Sequence, residues 1–255
     1  MGELFVRRVG HGPRVVLLHG SVLASQLCWI RQLPLADRFA LEIVDRAGYG
    51  RSQQVSRGED FDADAPLVAG LLADGAHLVG HSSGAVAAML AAALRPAAVL
   101  SLALCEPPAY QLAPSSAEAQ QMARDTEAHL RRPGGDAEWL RGFLAIVGGS
   151  IAIPDRLPPS LAQGVRATRA TRRRPWEGEL PVAPLAAAWF PKLVISGNHS
   201  PAFEDVCDSL AARLRAQRAH VTGAGHATPG TGTAFNDTLE SFIRAASSRR
   251  ETAGA

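Results

Sequence analysis

Apolar residues in this chain fall in short, dense runs. Arg14–Leu18, Ala40–Val44, Ala76–Val79 and Ala98–Leu104 have the length and composition of strands buried on both faces. Lys192–Ile195 is a fifth such run, and Ala219–Thr222 reads as a sixth. Each run ends in loop-forming residues, such as His19-Gly20-Ser21, Gly80-His81 and Glu106-Pro107-Pro108. Strands that alternate with helical stretches predict an α/β domain with a mostly parallel central sheet and helices on both faces. In such sheets functional groups gather at the carboxyl ends of the strands.

From about residue 108 to 179 the alternation stops. A helix is expected from an N-cap at Ser115 or Ser116 to about Arg132, where Pro133-Gly134-Gly135 ends it. A second, capped by Asp136, runs from Ala137 to Val147 and carries Trp139, Leu140, Phe143, Leu144 and Val147 on one face. A third is expected over Ser160 to Arg173, behind the prolines at 154, 158 and 159. The expected organisation is a core of residues 1–107 and 180–255 with a helical insertion, 108–179. Packing on the flank is the alternative to a cap, but the insertion starts beside a strand's carboxyl end, which favours a cap over the site.

Composition narrows the class. A chain of 255 residues, 47% hydrophobic and 20% charged, suits one globular domain with a single core. The net charge of +2 gives no reason to expect nucleic acid or a membrane surface as partner. A small molecule is the expected partner, with the chain a monomer or homodimer. Lys192 is the sole lysine, a bias of genome composition more than of chemistry. Cys28, Cys105 and Cys207 are far apart and odd in number, which argues against a disulfide framework or zinc site and for a reducing cytoplasm. The apolar run after Arg7 and Arg8 is too short for a signal peptide, and none reaches membrane-spanning length.

The most specific chemistry lies at Gly80-His81-Ser82-Ser83-Gly84, a G-x-S-x-G between a predicted strand and an alanine-rich helical stretch, Ala85–Leu94. In that setting Ser82 sits on a sharp strand-to-helix turn with its hydroxyl exposed, and the glycines allow strand and helix to pass in contact.

With His19-Gly20, the segment Asp45–Ser52 and the late Gly223-Ala224-Gly225-His226, this turn resembles the α/β-hydrolase superfamily over the whole chain. The resemblance implies the α/β-hydrolase fold, a serine nucleophile at Ser82 and a histidine base. It also implies a carboxylate that orients the base, and an oxyanion hole from the backbone N–H of Ser83 with that of Ser21 or Val22. His226 fits the base by its late position. His19 belongs to the oxyanion loop, His81 points away from the hydroxyl, and His199 is a secondary candidate. The acid departs from the usual pattern. The loop that normally carries it reads Gly197-Asn198-His199-Ser200-Pro201, without a carboxylate. Glu106, presented rigidly before Pro107-Pro108, is the favoured acid; Glu204 or Asp205, or no acid at all, are the alternatives.

No metal and no cofactor is implied. The expected activity is cleavage of a carboxylic ester or lactone of a small, largely apolar molecule through an acyl-enzyme. Thioester or C–C bond hydrolysis, or ligand binding without hydrolysis, are the alternatives. Arg166, Arg169, Arg172, Arg173 and Arg174 are either a solvated face or a dock for an acidic substrate arm. Trp29, Trp139, Trp176 and Trp189 belong to a pocket or to the core.

Overall fold

The computed structural model describes residues 4–53, 58–149 and 151–253. The strands are β1 (Val6–Val9), β2 (Arg14–Leu18), β3 (Ala40–Val44), β4 (Ala76–His81), β5 (Val99–Cys105), β6 (Lys192–Ser196) and β7 (Gln217–His220). The helices are α1 (Ser25–Cys28), α2 (Phe61–Leu71), α3 (Ser83–Leu94), α4 (Ala117–Leu130) and α5 (Asp136–Val147). They continue with α6 (Pro159–Arg169), α7 (Val182–Ala187), α8 (Pro201–Leu214) and α9 (Thr233–Ala253). The strands form one sheet in the order β1-β3-β2-β4-β5-β6-β7. β1 runs antiparallel to β3, and every other pair is parallel.

Strand residues alternate between two cores. Val16 and Leu18 of β2 face α2 and α3 in a cluster with Leu78, Leu102 and Leu104. Val15 and Leu17 face the other way, with Val79, Ala103 and Ile195, and pack on Trp29, Phe235 and Leu239. Both faces are therefore dry, which explains why the central strands read as continuous apolar runs. α3 is buried along nearly its whole length and half of its residues are alanine, which lets it pack close to the sheet.

A smaller cluster joins Val22, in the loop after β2, to Trp139 and Leu140 of α5 and Leu161 and Val165 of α6. A Cβ on Gly164 would come within 1.8 Å of the Val22 carbonyl oxygen, so α6 rests directly on that loop's backbone.

Some elements differ from expectation. β1 is an added edge strand whose inner Arg7 and Arg8 are exposed. β7 lies two residues earlier than its apolar run, because Gln217 and Arg218 pair with Leu193 and Val194 at the sheet edge. α6 ends at Arg169, and Arg174 is extended (φ −82°, ψ 148°) as the residue before Pro175 must be. Ser116 caps α4, accepting from Ala119 N at 3.0 Å. Among the described residues no helix is long and apolar enough to cross a membrane.

Candidate active site

Ser82 occupies the turn between β4 and α3 with φ 53° and ψ −129°. A side chain in that region of backbone space costs on the order of 1–3 kcal/mol and persists only where the surroundings over-determine it. Here they do. Ser82 N donates to Cys105 O at 2.8 Å, and Ala85 N donates to Ser82 O at 2.8 Å. A Cβ on Gly20 would lie 2.6 Å from Ser82 Cβ, and one on Gly84 would lie 2.3 Å from His19 O. Glycine at both positions lets the loop after β2 close on the serine.

β5 delivers Glu106 beside Ser82, also with a positive φ of 43°. Its carboxylate is fully buried. His226, in the loop after β7, donates from Nδ1 to Glu106 Oε2 at 2.7 Å, and its Nε2 lies 3.0 Å from Ser82 Oγ. With the proton on Nδ1, the Nε2 lone pair faces the serine hydroxyl. The structure thus brings Ser82, His226 and Glu106 into one hydrogen-bonded line. His199, considered as a base, lies instead on the far side of the acid and donates from Nε2 to Glu106 Oε2 at 3.0 Å. Gly197 N donates to the other oxygen at 2.6 Å. Burial opposes ionisation of Glu106, but the hydrogen bonds from His199 and His226 outweigh it and bring the carboxyl down to about 2.

Three contacts hold the His226 ring and loop. His81 donates from Nε2 to His226 O at 2.8 Å, His226 N donates to Gly148 O at 3.2 Å, and Phe203 stacks on the ring at 4.5 Å. The two ring nitrogens of His81 meet His226 O and Cys28 Sγ, and burial lowers it to about 4, so it is neutral. His19 accepts from Arg46 N at 3.0 Å on Nε2 and donates from Nδ1 to Gly20 O at 2.7 Å. Burial and Arg46 hold it at about 3. Glu204 and Asp205 are not part of this constellation. Glu204 accepts from Ser196, Asn198 and Arg218, and Asp205 is exposed on α8.

The expected oxyanion donors divide. Val22 N donates to Thr168 Oγ1 at 3.1 Å and to Tyr49 OH at 3.2 Å, which corrects its place among them: its proton is already paired with two hydroxyls. Ser83 starts α3, where the first amides lack helical acceptors, and Ser21 stands beside it. Their hydroxyls are 3.0 Å apart. Behind them lies a network without a clear signal in the sequence. Buried Arg46 donates to Ser83 Oγ (3.0 Å), Asp64 (2.9 Å) and Glu59 (3.5 Å). Glu59 also accepts from Ser21 Oγ at 2.7 Å and from Tyr49 OH. Burial and the Glu59 carboxylate push the Tyr49 phenol well above its ordinary value.

A cavity, partly open to solvent, is lined by Ser82 and His226. Tyr110, Phe143, Val147, Trp176 and Phe203 give it apolar walls, and Glu59, Thr168 and Thr171 give it a polar corner. Trp29 and Trp139 are core residues and Trp189 is exposed, so Trp176 alone of the tryptophans lines the cavity. Arg169, Arg173 and Arg174 are paired with Asp136, Asp62 and Glu127. Most of that arginine run is therefore spent within the chain. The ligand atoms of Glu106, His199 and His226 lie close enough together to hold a metal ion, as do those of Glu204, Asp208 and His220 at the surface. In the first group both imidazole contacts to the carboxylate are hydrogen bonds in the line already described.

Comparison with known proteins agrees with this architecture. A model described as the alpha/beta hydrolase family matches residues 15–238. The chain is 37% identical over 117 residues to a pimeloyl-[acyl-carrier protein] methyl ester esterase of Methylococcus capsulatus, covering 44% of each protein. It is 43% identical over 106 residues to the protein of that name from Chromobacterium violaceum, covering 40% of each. These matches span less than half the length of those relatives. A thermophilic esterase from Thermogutta terrifontis superimposes with a TM-score of 0.70 at 25% identity, over 96% of this chain and 94% of that one.

Proposed function

The chain belongs to the alpha/beta hydrolase family, and on that premise we propose that it is a serine hydrolase that cleaves a carboxylic ester or lactone of a small, largely apolar molecule. The observation that carries this is the unbroken path from Ser82 Oγ through His226 to Glu106 Oε2. A free serine hydroxyl is a poor nucleophile at neutral pH and needs a base in hydrogen-bond reach. In the proposed reaction Ser82 Oγ attacks the carbonyl carbon while its proton passes to His226 Nε2. Glu106 keeps the imidazole in the right tautomer and stabilises the imidazolium. The amides of Ser21 and Ser83 bind the oxyanion. The leaving alcohol takes the proton from His226, and water, deprotonated by His226, releases the acid and restores Ser82.

Residues 1–107 and 180–255 are proposed as the catalytic core, and 108–179 as the cap that shapes the pocket. The apolar cavity walls favour an apolar substrate group. The esterase names of the relatives point to oxygen esters, whereas thioester and C–C hydrolysis would use the same three residues. A cytoplasmic location, a small-molecule partner and no need for a cofactor complete the proposal.

Intact mass after exposure to a fluorophosphonate tests it. A single adduct on the wild type and none on Ser82→Ala is the expected result. No adduct on either protein would leave ligand binding without hydrolysis as the better reading.

A further inference from the structure

We propose that the corner of the cavity around Glu59 is a subsite for a hydrogen-bond donor on the substrate, a hydroxyl or an ammonium group. This rests on the reading of the cavity as the place where the substrate reacts.

The argument is an account of protons. Ser21 gives its hydroxyl proton to Glu59 Oε2 at 2.7 Å, and Tyr49 gives its own to Oε1. The 3.0 Å contact between Ser21 and Ser83 then uses the Ser83 proton, and Ser83 Oγ in turn accepts from Arg46. Thr168 Oγ1 lies 2.9 Å from Gly164 O and 3.0 Å from Tyr49 OH, so its one proton is shared between them, and Thr171 Oγ1 donates to Ala167 O at 3.3 Å. Every one of these hydroxyl protons points into the protein. Glu59, Ser21, Thr168 and Thr171 all line the cavity that holds Ser82 and His226. What they offer a bound molecule is lone pairs.

Glu59 is the strongest acceptor among them. A carboxylate has about four lone-pair sites. Arg46 and Tyr49 occupy Oε1 and Ser21 occupies one site of Oε2, which leaves one on Oε2. The charge is also incompletely balanced. Arg46 faces two carboxyls and sits closer to Asp64 (2.9 Å) than to Glu59 (3.5 Å). Arg174, the arginine among the cavity-lining residues, is engaged by Glu127 and Thr171 O. A neutral or cationic donor complements this corner, and a carboxylate is repelled by it.

The test compares kcat/KM for p-nitrophenyl butanoate, p-nitrophenyl 3-hydroxybutanoate and mono-p-nitrophenyl succinate. A second pair, propyl and 2-hydroxyethyl butanoate, places the donor on the alcohol side. The wild type is expected to favour the hydroxylated ester of one pair by about ten-fold, the size of a hydrogen bond to a charged group, and to disfavour the succinate. In Glu59→Gln, Arg46 and Tyr49 hold the amide oxygen, so the NH2 takes the place of Oε2 and an acceptor becomes a donor. The hydroxyl preference is expected to fall to one or below. A wild-type ratio within two-fold of one in both pairs overturns the subsite, as does a preference that survives Glu59→Gln. If no ester is turned over, the hydrolase reading fails by itself. Calorimetric binding of the same pairs to the Ser82→Ala protein then decides the subsite, a ratio near one overturning it.

Discussion

The backbone N–H of Gly197 donates to Oε1 of Glu106 at 2.6 Å, across 91 residues of sequence. The loop after β6 therefore clamps a carboxylate supplied at the end of the neighbouring strand β5. His199, two residues on, donates to the second carboxylate oxygen, which is also the oxygen that meets His226.

Glu106→Gln tests that relationship. The amide keeps the shape, but one of its polar groups must turn an N–H toward His226 or Gly197, which are themselves donors. The tautomer of His226 is lost with it. The expected result is a fall in kcat of roughly 10²–10⁴-fold, by analogy with triad acids in serine proteases. Circular dichroism should be unchanged. A fall of less than about three-fold would remove Glu106 from the catalytic line.

Stability should fall in two stages as pH drops. His19 and His81 are buried and neutral, with values lowered from 6.5 to about 3 and about 4. The unfolded chain binds protons there that the folded chain refuses. Their contribution is thus full above about pH 6.5 and is lost progressively down to about pH 4 and 3. At the acid end this amounts to about 3 kcal/mol for His81 and about 5 kcal/mol for His19. Glu106, lowered from 4.5 to about 2, adds stability above about pH 4.5 that disappears as pH falls toward 2. Urea midpoints across pH 3–8 check the sign, and His81→Asn should flatten the slope between pH 4 and 6.5.

Two glycine-to-alanine changes should act in opposite directions. At Gly164 the new Cβ would meet the Val22 carbonyl oxygen at 1.8 Å, so α6 must lift off the loop beside Ser82. A loss of 1–3 kcal/mol is expected, the usual range for overpacking, with reduced activity. At Gly70, inside α2, a Cβ would have nothing within 4 Å. Alanine there should stabilise by about 0.5–1 kcal/mol through helix propensity alone and leave activity as it is. Thermal melts of the two variants, read together, check both.

What the sequence made legible follows from where its signals are strong. β2 to β6 are buried on both faces and announce themselves as aliphatic runs. The turn at Ser82 is legible because two close approaches exclude any residue larger than glycine. The edge strands are less legible, β1 going unread and β7 being read two residues late. Arg7 and Arg8 of β1 are exposed, so it shows no apolar pattern, and β7 begins with Gln217 and Arg218, so only its end does. The network of Arg46, Glu59, Tyr49 and Thr168 was hidden for another reason. Its members are far apart in sequence and belong to types that are ordinarily exposed, and only the fold collects them under Ser21 and Ser83. The same holds for His199, whose partner is 93 residues away.

The hydrogen bond from His226 N to Gly148 O, at the end of α5, makes the base loop and the helices over the cavity a single mechanical unit. A Cβ on Gly225 would lie 2.1 Å from the same carbonyl oxygen, so the two backbones touch. A shift of the α5 end must therefore break this bond or carry the His226 loop with it.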